Sequence, residues 1–453
     1  MNKEQRQKIY DKVLKKIVPT KKELQDEKKL FIEINDKIKK MSGKHSYLEW
    51  CGSSARNTNL RNDQDLDLFL MFNKELTEKE LEKEGLRIGK NIFKGHDWEK
   101  AYSQHPYIRG TIKGFDVEIV PGYIVKSGAE KKSAVDRTPF HNKYLLKNLK
   151  ENQKNEVRLL KQFLKGIGAY GADLKNCSLP GYGVELIILK YSNFEKALKK
   201  ISDWKIGEII KFENEKITKF EHPLIIIDPV DPKRNVASAL SNEQFERIKF
   251  ASKKFLENPS INFFFPTKIK PWNKKHVKAM LEKKELIGVK FDFPKNILED
   301  LVWGQLRRFL KKNSNTLKQT GFEILREKMW SNSKEVWFIF ELNTLNLQKS
   351  KKIIGPKVND NENVEKFLQN KKILSGPRIE ENRIIIEIER KETNVIKILK
   401  NYLKTEKKKE TIAIKRALKN YKILTEKDLL KEYKGEFKTF FTNYLEGKER
   451  FER

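Results

Sequence analysis

The residues of this sequence best suited to chemistry are a glycine leading two serines and, a few positions on, two aspartates one residue apart. They read Gly52-Ser53-Ser54-Ala55-Arg56-Asn57-Thr58, then Asp65-Leu66-Asp67. A Gly-Ser turn after a strand can present backbone N–H groups and a small hydroxyl to a phosphate, because glycine has no Cβ to block close approach. Arg56 adds a guanidinium suited to bidentate phosphate contact. Asp65 and Asp67 at the start of a strand point to the same face, about 7 Å apart. Hard oxygens so placed suit Mg²⁺ that also binds substrate phosphates. A neighbouring strand should supply a third carboxylate, and Phe115-Asp116-Val117-Glu118-Ile119-Val120 offers two on one face, Asp116 and Glu118. Three such groups can hold two ions about 3.5–4 Å apart, one activating an attacking hydroxyl and the other neutralising a leaving pyrophosphate. A lone Gly-Ser is usually a plain turn, and a lone Asp-x-Asp a solvated strand edge. Together in this context they point to nucleotidyl transfer.

The elements that must position these groups are legible around them. Residues 5–40 carry apolar residues at helical spacing, interrupted by Pro19. Strands are expected at 47–51, ending at Gly52-Ser53-Ser54, at 66–72, and at 115–120, stopped by Pro121-Gly122. A helix is expected over 156–165, with Val157, Leu160 and Leu164 on one face, and a short strand at 224–229. After residue 260, strand-like runs at 263–265, 289–293, 336–342 and 384–389 alternate with basic helices. The stretch 394–422 reads as an amphipathic helix pair. No repeat of fixed period is present. The expected fold class is α+β and multidomain: an α/β head over 1–145, a mainly helical central domain over 146–259, and an α+β body and tail over 260–453.

Composition narrows the class further. The 453 residues include 96 Lys+Arg against 63 Asp+Glu, a formal net charge of +33, and 10% aromatic residues. The aromatic share argues against wholesale disorder. The charge repels itself, so a polyanionic partner is its simplest explanation, with a compositional habit for surface lysine as the rival. Two cysteines, Cys51 and Cys177, are too few for a disulfide framework and lack zinc-site spacing, which fits a reducing cytoplasm. No apolar run suggests a signal peptide or a membrane span.

With these motifs in view, the sequence resembles the DNA polymerase β-like nucleotidyltransferases, and within them the archaeal (class I) CCA-adding enzymes. The resemblance rests on residues 52–58, His105-Pro106-Tyr107, Val117-Glu118-Ile119-Val120-Pro121, the block from Ser133 to His141, Asn155 to Lys161, Tyr170-Gly171-Ala172, Asp228 to Ala237, Gln305 to Arg308 and Gly355-Pro356. It runs from about residue 5 to 370 and covers the last 80 residues only loosely. It implies Asp65, Asp67 and Glu118 as the metal-binding, catalytic carboxylates. Ser53, Arg56, His141 and Lys161 would contact the triphosphate of ATP or CTP, Tyr170 the nucleotide sugar, and Arg234 the incoming base. The family usually has Asp at position 118 and often Glu at 65, and Ser54 stands where an aromatic is common. Whether Asp116 assists stays open.

The resemblance further implies stepwise, template-independent addition of C, C and A to the tRNA 3′ end, using Mg²⁺, CTP and ATP. It implies a grip on the acceptor and TΨC arms by the C-terminal half, and a homodimer. From the residues alone, Lys161 on a helix face could equally be a solvated lysine, and a loop histidine such as His141 is more often structural. Two other readings share these features: a poly(A)- or oligoadenylate-type transferase, and a non-catalytic RNA-binding factor on the same fold.

Overall fold

The computed structural model of the chain describes residues 3–42, 46–63, 65–102, 105–130, 132–213, 220–295, 297, 299–369, 372–406 and 408–453. The chain forms two compact units, Met1–Thr267 together with Lys448–Arg453, and Lys268–Gly447. The first unit takes in both segments expected as head and central domain, and the chain's last residues return to it.

The first unit begins with α1 (Lys3–Ile17) and α2 (Lys21–Ser42). Pro19 separates them, since its ring and missing N–H end a helix. The break lets consecutive helices serve different cores. Tyr10, Val13 and Ile17 of α1 pack among the later helices, whereas Leu30, Ile34 and Ile38 of α2 pack on the sheet. That sheet contains β1 (Ser46–Cys51), β2 (Asp65–Phe72), β3 (Trp98–Tyr102), β4 (Pro106–Ile112) and β5 (Phe115–Tyr123), in the order β1-β2-β5-β4-β3. The short α3 (Gly52–Ala55) follows β1, and α4 (Glu78–Ile92) follows β2. β2 and β5 are parallel and the other pairs antiparallel. A parallel pair needs a crossover, which α4, β3 and β4 supply.

Side-chain alternation decides the rest. Leu66, Leu68, Leu70 and Phe72 of β2 and Val117, Ile119 and Tyr123 of β5 join the core under α2 and α4, so Asp65, Asp67 and Glu118 face the other side. The expectation that β5 stops at Pro121-Gly122 is corrected. The strand continues to Tyr123 because β2 pairs with it that far, while β4 pairs no further than Ile119, so the N–H missing at Pro121 falls beyond that ladder.

The helical part comprises α5 (Thr138–Asn148), α6 (Gln153–Ile167), α7 (Gly181–Tyr191), α8 (Phe194–Ser202) and α9 (Asn242–Glu257). A small sheet of β6 (Glu208–Ile210), β7 (Leu224–Asp228) and β8 (Asp231–Asn235) accompanies them. The expected strand at 263–265 is instead a 3₁₀ turn, Ile261–Phe263. Its aromatics pack against Phe163 and Phe255, and a turn can pack adjacent residues on one core where a strand would send them to opposite faces.

The second unit opens with α10 (Lys274–Leu281), β9 (Glu285–Asp292), α11 (Glu299–Thr320), β10 (Ile324–Ser331) and β11 (Glu335–Leu342). Then come β12 (Ser350–Lys357), α12 (Asn361–Leu368), β13 (Ile373–Glu380) and β14 (Arg383–Glu389). The expected helix pair follows as α13 (Val395–Glu406) and α14 (Ile412–Ala417), before β15 (Lys422–Leu424), α15 (Glu426–Lys431) and α16 (Phe437–Glu446). The sheets run β10-β11-β9-β15 and β12-β14-β13. The chain is thus mixed α+β. Among the described residues no helix is long and apolar enough to cross a membrane.

Candidate active site

Strand register assembles the carboxylates. β2 pairs with β5 so that Asp65 stands beside Asp116 and Asp67 beside Glu118, while Cys51 at the end of β1 pairs with Asp67. Gly52 follows directly, with φ +76°, and a Cβ there would lie 2.0 Å from Asp67 Oδ2. Only glycine lets the turn close on that carboxylate. The turn is fastened from below: Trp50 Nε1 donates to Ser54 Oγ at 3.0 Å, and Ser54 Oγ donates to the Asp65 carbonyl at 2.9 Å. Tyr107 OH donates to Glu118 Oε1 at 3.4 Å, and Thr111 Oγ1 to Asp116 Oδ1 at 3.1 Å. A cavity of about 600 Å³ opens here, lined by these four carboxylates with Trp98, Arg109 and Thr111.

The carboxylates are crowded against one another. Burial, then Asp67, Asp63 and Asp116, push Asp65 up to about 6. Burial and Asp67 push Glu118 up to about 7, against the pull of Arg109 and the Tyr107 hydrogen bond. Asp67 is raised by burial despite Arg56 and Lys161. Asp65, Asp67 and Glu118, hard oxygen donors from two strands and each raised chiefly by burial, form a donor set that fits a divalent cation.

Behind the turn, α6 cradles the connection from β1 to β2. Arg158, Lys161 and Lys165 share one helix face. Arg158 donates to the Asn57 and Asn59 carbonyls and to Asn57 Oδ1. Lys161 Nζ donates to the Thr58 carbonyl at 3.1 Å, and Lys165 Nζ to Asp63 at 2.6 Å. Lys161 is buried, which pulls it down to about 8, with Glu185 working the other way. Arg56 is also buried. Its Nε and one terminal nitrogen grip Glu185 at 3.1 and 2.8 Å, and its other terminal nitrogen donates to Asn142 Oδ1 at 3.0 Å. Glu185 accepts the Thr58 hydroxyl as well. Burial opposes its ionisation, but Arg56, Lys161 and these hydrogen bonds hold it below the usual range.

A second network lies one residue away on α5 and three away on α7. His141 Nε2 meets Asp228 Oδ2 at 2.8 Å, Arg234 donates to the same oxygen at 2.9 Å, and Tyr182 OH donates to Asp228 Oδ1 at 3.3 Å. The His141 and Tyr182 rings lie 4.1 Å apart. Burial holds His141 below its ordinary value, against Asp228. Tyr170 reaches the site because Gly181 has no side chain, its hydroxyl lying 2.8 Å from where a Cβ would stand.

Three family profiles match the chain: a nucleotidyltransferase domain over 31–141, the second domain of tRNA nucleotidyltransferase over 155–265, and the C-terminal domain of CCA-adding enzyme over 283–426. The CCA-adding enzyme of Saccharolobus islandicus strain M.14.25 is 39% identical over 86% of this chain and 91% of its own. That of Methanocaldococcus jannaschii is 37% identical over 80% and 83%. The chain belongs to the CCA-adding enzyme family. It is a tRNA nucleotidyltransferase. The CCA-adding enzyme of Methanosarcina acetivorans is 34% identical over 86% of this chain. A solved structure of E. coli MS115-1 CdnC with ATP is similar at TM-score 0.44 and 19% identity, covering 57% of this chain and 94% of that one.

Within this CCA-adding chain the residues singled out in sequence, Tyr170 beside Gly181 apart, fall into three groups. Asp65, Asp67 and Glu118 share a face beside the turn that carries Ser53. Arg56 and Lys161 meet through Glu185, and His141 and Arg234 through Asp228. The guanidinium of Arg56, expected on a phosphate, is engaged inside the protein by Glu185 and Asn142. Sequence reading gave no role to Glu185 or Asp228. The signal for Glu185 was its place in the apolar run of α7, since a lone carboxylate in such a run must find a partner.

Proposed function

We propose that Asp65, Asp67 and Glu118 form the catalytic centre at which this chain adds C, C and A to tRNA 3′ ends from CTP and ATP. The observation that carries this reading is the register placing Asp67 beside Glu118, with Gly52 closed on Asp67, on the face away from the packed helices. Mg²⁺ bound by these three carboxylates would lower the pKa of the terminal ribose hydroxyl and neutralise the departing pyrophosphate. Asp67 aligns the site by its contact with the turn. Ser53 and the turn's backbone receive the triphosphate, Lys161 and Arg56 bring positive charge beneath it, and Tyr170 meets the sugar. Arg234, held by Asp228, presents donors to the base edge, and His141, held by the same carboxylate, stands beside the triphosphate. In domain terms, 1–145 acts as catalytic head, 146–259 completes the nucleotide pocket, and 260–453 grips the acceptor and TΨC arms of tRNA. The working state is a cytoplasmic homodimer.

The test is incorporation on tRNA lacking its CCA end. With CTP alone two residues should be added, with both nucleotides C, C and A, and with Asp67→Asn a rate at least ~10²-fold lower, the loss typical when one charge-stabilising group is removed. An A-only tail that needs no CTP would instead make the chain a poly(A)-type transferase. Full activity in Asp67→Asn would remove the carboxylate assignment.

A further inference from the structure

The first unit carries a second cluster of metal-ligating side chains, away from the catalytic face. Glu78 and Glu82 stand one turn apart on α4 and converge on His105, the residue before β4. One donor atom from each of the three lies within 4.8 Å of the others. His105 Nδ1 is 3.4 Å from Glu78 Oε1 and 3.8 Å from Glu82 Oε1. His105 is only 4% exposed, yet among the described residues neither ring nitrogen has a hydrogen-bond partner. A buried imidazole with no hydrogen-bond partner, its Nδ1 aimed at two carboxylates, points to something between them. Two ligands on a tetrahedral ion at ~2.0–2.1 Å stand about 3.3–3.4 Å apart, close to the observed spacing.

This cluster is separate from the carboxylates of β2 and β5. Cβ atoms built on Gly85 and Gly89 of α4 would meet Pro121 and Ile108 at 2.7 and 2.8 Å, and Ile108 pairs with Ile119, the residue after Glu118. Alternation therefore sets α4 on the face opposite Glu118.

We propose that Glu78, Glu82 and His105 bind a divalent transition-metal ion, of the Zn²⁺ class, that staples the first turns of α4 to the start of β4. One nitrogen and two carboxylate oxygens suit Zn²⁺ better than Mg²⁺, which prefers oxygen ligands alone. Three protein ligands leave a fourth position for water. The staple fixes the entry to β4, whose Tyr107, two residues on, holds Glu118, so the ion supports the catalytic face through the strand. The proposal stands independently of the catalytic reading.

The test uses full-length Asp67→Asn protein, with excess Mg²⁺ to occupy what remains of the carboxylate cage. Titration with Zn²⁺ as the only transition metal, followed by calorimetry and metal analysis, should show about one equivalent bound per chain and a raised melting temperature. Since His105 is buried, the more exposed pair carries the control. Adding Glu78→Gln and Glu82→Gln should abolish both the zinc and the thermal shift while leaving the zinc-free melt and the circular dichroism spectrum intact. Absence of zinc uptake by the Asp67→Asn protein would overturn the proposal. Uptake that survives the Glu78→Gln and Glu82→Gln changes would overturn it equally, placing the ion elsewhere.

Discussion

Single residues set how tightly the site is drawn. At Gly52 the left-handed backbone and the nearness of Asp67 act together, so any Cβ both strains the turn and pushes the carboxylate away. Gly52→Ala should cost about 1–3 kcal/mol of stability and reduce CCA incorporation more than that loss explains. Comparing the melt with the rate of addition to CCA-less tRNA checks this. Glu185 works from behind, accepting from Arg56 and Thr58 and standing as counter-charge 3.9 Å from Lys161. Removing a buried carboxylate that compensates two buried cations leaves them exposed to the full desolvation penalty. Glu185→Ala is expected to cost about 3–5 kcal/mol in urea unfolding, with Lys161 and Arg56 losing the arrangement that holds them.

At the scale of elements, helices fix the connection between β1 and β2 from two sides. α6 does so with three basic residues and α2 with one acid, Glu27, which accepts from Asn59 Nδ2 at 2.9 Å while 2% exposed. Burial raises Glu27 from 4.5 to about 7, the Asn59 hydrogen bond opposing it. The sign follows: the folded state favours the protonated acid, so stability falls as pH rises from about 4.5 through about 7. Glu27→Gln retains the acceptor for Asn59 and has no proton to lose. It should be more stable than the native chain at pH 8, by on the order of 1–3 kcal/mol, and close to it at pH 4. Melting curves at the two pH values decide, and an equal difference at both would refute the argument. The elements themselves were largely visible in sequence. β2, β5, α6 and β7 announce themselves by apolar runs or helical spacing. β10, β12 and β13 do not, because they are largely half-buried or exposed and lack the run of buried residues that marks a strand. The 263–265 run misled because three adjacent aromatics suit a buried strand or a packed turn equally well.

At the scale of the whole molecule, the net charge of +33 stands beside a family substrate, tRNA, that is itself a polyanion. If the basic surface contacts six to ten phosphates, raising salt from 50 to 200 mM should weaken tRNA binding by about 10³–10⁵-fold. A filter-binding or anisotropy titration across that range measures the slope, and a flat response would mean that most of the lysines never meet the RNA.

The sequence by itself determined the chemistry's ingredients: a glycine-led turn, alternating carboxylates in two apolar strands, a basic chain, and the ordered blocks of the CCA-adding family. These are local patterns, fixed by residue type and by periods of two and 3.6. Tertiary structure alone decided which atoms meet. It paired Asp67 with Glu118 through a parallel register that no local pattern encodes. It turned Arg56 and Lys161 onto Glu185, gathered His141, Tyr182 and Arg234 on Asp228, and brought His105 to two glutamates of α4. The physical reason is that charge desolvated by folding must be compensated by whichever group the fold brings near, and the sequence names the candidates without stating their distances.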